Sequence, residues 1–305
     1  MITYAPTAAD RAPLPPAFAA EPRYLGYREP ERALPFAHFF RDEVRPVQEH
    51  VRDALLGGKA PSEFGYDIGD AARMLSRPGH HRMETGWTRL DNGVTAISCL
   101  TDMPGVTAAM WDWWFGWHGR ETARYKLWHP DSHQFSALGE DRGSDRSLTD
   151  RQRYLDNVSY VDEYIGGELH RLAIRFFDQR RLGLDDVAGT THICARVGFS
   201  TVPLAHGWLV HQVRPTDHGA EMRSRFFLNH PELLELPAHA LPGGVSARVL
   251  TTGLARKVAN PLLPGVSGRL LPASLGHDLL VHCASEMNHL ASFLPQLHAE
   301  FNGTP

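Results

Sequence analysis

The second half of the chain constrains the fold most. From Asn157 onward, apolar-rich runs follow one another, separated by Gly, Pro and Asp, and one long helical pattern closes the chain. The runs "NVSYVDEYIGGELHRLAIRFFD", "GTTHICARVGFST", "GWLVHQVRP" and "GAEMRSRFFL" have strand-like composition, and Gly166-Gly167 marks a turn inside the first. In the last run Met222, Ser224, Phe226 and Leu228 alternate with Glu221, Arg223, Arg225 and Phe227, as in a half-buried antiparallel strand. The closing segment, "ASLGHDLLVHCASEMNHLASFLPQLHAEF", predicts a helix with an irregularity at Pro295. A strand meander with one terminal helix predicts an α+β fold, with a curved antiparallel sheet and the long C-terminal helix packed across it. Such a sheet leaves a cavity beneath the helix, a natural small-molecule site.

Upstream, residues 1–35 are rich in Pro and Ala without periodicity and read as an extended arm. Val44, Val47, Val51 and Leu55 have helical spacing, stopped by Gly57-Gly58, and a shorter helix is expected in "DIGDAARMLS". Asp91-Asn92-Gly93 between apolar runs signals a hairpin. Met110, Trp113, Trp114 and Trp117 form an apolar helical face. Residues 134–157 are polar and read mostly as loop, and 230–270 as Pro- and Leu-rich connections.

A formal net charge of −4 gives no electrostatic footprint for nucleic acid or an anionic membrane. No stretch approaches the roughly 20 apolar residues of a membrane span. Three cysteines without a CxxC spacing fit a reducing compartment. The N-terminus lacks the basic start and apolar run of a signal peptide. A cytoplasmic protein is therefore the expectation.

Metal-type side chains recur in four places. They are His129 and His133 in "WHPDSH", Glu163 before the Gly166-Gly167 turn, His206, His211 and His218 along one hairpin, and His282, Glu286 and His289 on the terminal helix. Residues four apart on a helix lie one above the other, so His282 and Glu286 can reach one cation. Histidine and carboxylate suit zinc, and also iron, manganese or nickel. A buried His–Glu hydrogen bond or a solvated stripe would give the same spacing. A helix supplies only two ligands, so the others must come from elsewhere in the chain.

"RYKLWHPDSH", the Trp-rich helix before it, "VDEYIGG" and the terminal "HCASE" together resemble the C–C hydrolase family of 2,4-diacetylphloroglucinol hydrolase and phloretin hydrolase. The resemblance runs from about residue 85 to the C-terminus. It implies a Bet v1-like helix-grip catalytic domain over 85–305, preceded by an arm and a small helical region over 1–84. It also implies a zinc held by two His and two Glu, here His133, Glu163, His282 and Glu286. The implied pattern has a Tyr eight residues before the first ligand, which Tyr125 supplies for His133; His129 stays open as the alternative. His289 is not expected as a ligand. Tyr125, His206 and His218 are the implied polar groups around the acyl group. Where the pattern has a further Tyr on the following strand, this chain has Phe226 and Phe227.

The activity implied is hydrolysis of the bond between an acyl group and a polyhydroxylated ring in a small aromatic ketone. A homodimer is implied as well. The alternative is a non-catalytic helix-grip protein that binds a phenolic or polyketide ligand. A different metal-dependent reaction of aromatic polyketides is a further reading.

Overall fold

A computed structural model of the chain describes residues 21–234, 252–263, 271–272 and 274–304. Eight antiparallel strands form one sheet: β1 (Gly86–Arg89), β2 (Thr95–Pro104), β3 (His133–Leu138), β4 (Val158–Ile165), β5 (Glu168–Phe177), β6 (Thr191–Phe199), β7 (Leu204–Thr216) and β8 (Gly219–Leu233). Their spatial order is β1-β2-β8-β7-β6-β5-β4-β3. Strands β3 to β8 therefore meander in sequence, and the β1–β2 hairpin is added beside β8. The turn expected at Asp91-Asn92-Gly93 joins β1 to β2.

The terminal helix, Leu275–Ala291, packs against β2 and β1 and also reaches β4, near the other end of the strand order. Only a curved sheet lets one helix touch both regions, and this is the expected helix-grip arrangement. Gly276 permits the close approach to β1, because a Cβ there would stand 2.6 Å from Trp87 Cδ1. The helix does not continue through Pro295. A second helix begins at Leu294, with the proline in its first turn, where no amide hydrogen is needed.

The inner core joins the concave sheet face, the terminal helix and the Trp-rich helix Ala108–Trp117. Trp111, Trp113 and Trp114 are among its largest fully buried side chains. Tyr27, Phe36, Phe39, Phe40 and Val51 from the N-terminal region belong to the same core. The helix around Val51 starts only at Glu49, after Pro46, so its first turn is shorter than the valine spacing suggests.

The outer sheet face is covered too. Tyr66, Ile68, Ala71, Met74 and Leu75 pack on Phe177, Trp208, Val210 and Phe227. Strand β8 is consequently buried on both faces, not half-buried. Its outward Arg223 and Arg225 are satisfied by Glu84: Arg223 donates to it at 2.6 and 3.1 Å, and Arg225 donates to it and to the Tyr66 hydroxyl. Charged residues at alternate positions read as solvent-facing, but here the layer over the outer face buries them and the Glu84 carboxylate pairs with them.

Two further expectations change. Residues 134–157 hold β3 and a short helix, Asp150–Tyr154. The 230–270 connection lies partly outside the described residues, but Gly253–Ala259 within it is helical. The expected arm over 1–35 also lies largely outside them, and its described end carries a short helix at Glu29–Arg32. Among the described residues no helix is long and apolar enough to cross a membrane.

Candidate active site

The site begins with a strand pair. His133 opens β3 and is the register partner of Glu163 near the end of β4. Both side chains point under the terminal helix, where His282 and Glu286 sit one turn apart. His133 Nε2 lies 3.7 Å from Glu163 Oε2 and 3.5 Å from Glu286 Oε2. His282 Nε2 lies 3.9 Å from Glu163 Oε1 and 3.8 Å from Glu286 Oε2. Ligand atoms of His133, Glu163 and His282 all lie within 4.8 Å of one another, and Glu286 joins them through both histidines.

Surrounding groups hold this cluster in place. His133 Nδ1 is 2.9 Å from the Tyr125 carbonyl, an acceptor only, so the proton sits on Nδ1 and the Nε2 lone pair faces the carboxylates. The Tyr125 ring stacks on His133 with centroids 3.7 Å apart, and its hydroxyl donates to Glu163 Oε2. His129 stacks on His282 with centroids 5.1 Å apart, so it stands beside the cluster without joining these contacts.

The electrostatics of the cluster favour a bound cation. Burial, then the charge of Glu163, pushes the Glu286 carboxyl well above the usual carboxylate range, and burial raises Glu163. Burial also holds His282 down at about 4 and His133 well below its ordinary value. His133 Nε2 is buried and has no hydrogen-bond partner among the described residues. Two buried carboxylates and two neutral imidazoles, with a lone pair aimed at their centre, make a donor set that one divalent cation satisfies. The buried His133, Glu163 and His282 group can therefore hold a metal ion.

The cluster forms one end of a cavity between sheet and helix, walled mostly by apolar side chains with a few polar groups at one end, the usual make-up of a small-molecule site. Phe115, Trp128, Phe176, Leu172 and Phe226 supply apolar wall, and Tyr125, Glu163, His282 and Glu286 supply the polar end.

His206 also lines this cavity, at a β-bulge between Ala205 and Gly207. Among the described residues neither of its ring nitrogens has a hydrogen-bond partner, and burial holds its pKa at about 3. His218 is not brought to the cavity. Strand β7 ends at Thr216 and β8 begins at Gly219, so His218 falls in the hairpin turn, with its side chain 56% exposed and 2.9 Å from Asp102. His211, on the same strand as His206, also faces inward. Its Nδ1 is 2.7 Å from Ser224 Oγ on β8, and its ring meets Phe226 edge-on. Alternation with the inward-facing Leu209 and Val213 was the signal for it. Phe226 faces the cavity, whereas Phe227 packs on the outer face.

A family model described as the DAPG hydrolase PhiG domain matches residues 64–299. The chain belongs to this family. A 2,4-diacetylphloroglucinol hydrolase from Pseudomonas protegens is 31% identical over 285 residues, covering 90% of this chain and 86% of the relative. A phloretin hydrolase from Eubacterium ramulus is 25% identical over 287 residues, covering 92% and 95%. Both relatives are hydrolases. Among solved structures, norcoclaurine synthase from Thalictrum flavum matches at 10% identity and a TM-score of 0.32, over 68% of this chain and 87% of that one. A match that distant adds nothing to the fold, which the strand order already defines.

Proposed function

We propose that this DAPG hydrolase family member is a zinc-dependent hydrolase that cleaves the carbon–carbon bond between an acyl group and a polyhydroxylated aromatic ring. The observation that carries the reading is the convergence of His133, Glu163, His282 and Glu286 at one end of an aromatic-walled cavity. The names of the relatives supply the substrate class, an acylphloroglucinol or a similar aryl ketone.

Bound by these four side chains, zinc supplies Lewis acidity toward a carbonyl and activation of water. The chain's own residues do the rest. Tyr125 fixes the orientation of Glu163 through its hydroxyl and stands at the polar end of the cavity. His206 and His211, both held neutral by burial, are available to accept or relay a proton along the strand wall. Phe115, Phe176 and Phe226 offer the flat apolar contacts a phenolic ring takes. A ring bearing several hydroxyls can leave as carbon because the departing carbon is protonated as the ring adopts a keto form.

The experiment is product analysis by mass spectrometry over a panel of acylphenols. A carboxylic acid and the deacylated phenol are expected in equal amounts. Ligand-induced stabilisation without product would favour the non-catalytic binding protein instead.

A further inference from the structure

His118 has no part in the cluster or the strand wall, yet it faces the same cavity. It follows the Trp-rich helix and is 4% exposed. Its Nδ1 is 2.7 Å from the Trp114 carbonyl. A carbonyl only accepts, so Nδ1 carries the proton and Nε2 carries the lone pair.

The ring cannot readily turn. It stacks on Trp114 with centroids 4.9 Å apart and planes 14° apart, and lies nearly parallel to Tyr125 at 5.9 Å. Phe115 and Trp128 meet it edge-on, each at 5.4 Å. Nε2 makes no protein hydrogen bond among the described residues, while the ring lines the cavity beside Phe115 and Trp128. A fixed acceptor in an aromatic wall is costly unless something that enters the cavity donates to it.

We propose that His118 Nε2 accepts a hydrogen bond from a ring hydroxyl of the bound phenol and selects for a hydroxyl at that ring position. The inference rests on the acylphenol reading above and assigns a specificity-determining residue to it. A site built to pair with a hydroxyl discriminates against the analogue lacking it, because the acceptor is then left buried and unpaired.

The test compares kcat/KM for a trihydroxy acylbenzene with that for each analogue lacking one ring hydroxyl, in the zinc-loaded wild type and in His118→Phe. Phenylalanine keeps the aromatic stack, and the Trp114 carbonyl keeps its bond from the backbone N–H of residue 118. Comparing ratios between the two proteins cancels the intrinsic reactivity of each analogue. The preference against one analogue should fall by at least about tenfold in His118→Phe, with zinc content unchanged. Unchanged ratios in a folded, zinc-loaded variant overturn the proposal.

A second measurement does not need the variant to fold. In wild-type protein labelled with 15N-histidine, the His118 Nε2 resonance should move upfield when phloroglucinol is added, and an unmoved resonance also overturns the proposal. Absence of turnover of every acylphenol by the wild type would instead defeat the functional reading, and this inference with it.

Discussion

His133 and Glu163 stand opposite each other on neighbouring strands, and one residue, Tyr125, grips both. Its carbonyl accepts from His133 Nδ1 at 2.9 Å, and its hydroxyl donates to Glu163. The carbonyl contact survives any side-chain change, but the hydroxyl contact does not. Tyr125→Phe should therefore leave the fold intact and weaken zinc binding by about 10- to 100-fold, the usual effect of losing a group that orients a ligand. Competition against a chromophoric chelator measures this. Wild-type affinity in Tyr125→Phe would show that Glu163 needs no such support.

The His211–Ser224 contact makes a separate prediction. Ser224 holds Nδ1 of His211 at 2.7 Å and so sets which ring nitrogen faces the cavity. Ser224→Ala should lower kcat by about tenfold, matching the loss of roughly one hydrogen bond, with zinc content unchanged. His218→Ala, at the exposed hairpin tip, should leave kcat within twofold of wild type. Steady-state kinetics on one acylphloroglucinol checks both.

Acid stability is set on the opposite face of the sheet. Burial opposes the charged form of Glu84, but Arg223 and Arg225 outweigh it and hold its carboxyl down at about 2, from an ordinary 4.5. A depressed carboxylate stabilises the fold fully above its unfolded pKa, and that stability is lost as pH falls through the folded value. The shift corresponds to roughly 3 kcal/mol. Glu84→Gln leaves two buried guanidiniums without their counter-charge and should cost about 3–5 kcal/mol at neutral pH. The gap between wild type and variant should close as pH drops from about 4.5 to about 2. Urea denaturation across that range measures it, and a constant gap contradicts the assignment.

The parts of the site differ in how legible they were for a physical reason. His282 and Glu286 share a helix face through local geometry, so their spacing alone brings them together. His133 and Glu163 meet through strand register, 30 positions apart along the chain, and no local pattern encodes register. The resemblance of "RYKLWHPDSH" and "VDEYIGG" to a known family suggested that pair instead. His211 was readable from alternation with Leu209 and Val213, whereas His218 was misplaced because a hairpin's residues do not announce which of them form its tip. Strand β3 was hidden by its polar sequence, "HQFSAL", which is tolerated because its neighbours bury it. The burial of Arg223 and Arg225 depends on Glu84, far away in the chain, and charge patterning alone cannot show that.

The most direct test of the account is turnover of an acylphloroglucinol by the chelator-stripped protein, before and after one equivalent of zinc is restored. The stripped protein should give no acid or phenol product, and activity should return on adding zinc. Full activity in metal-free protein would contradict the zinc dependence.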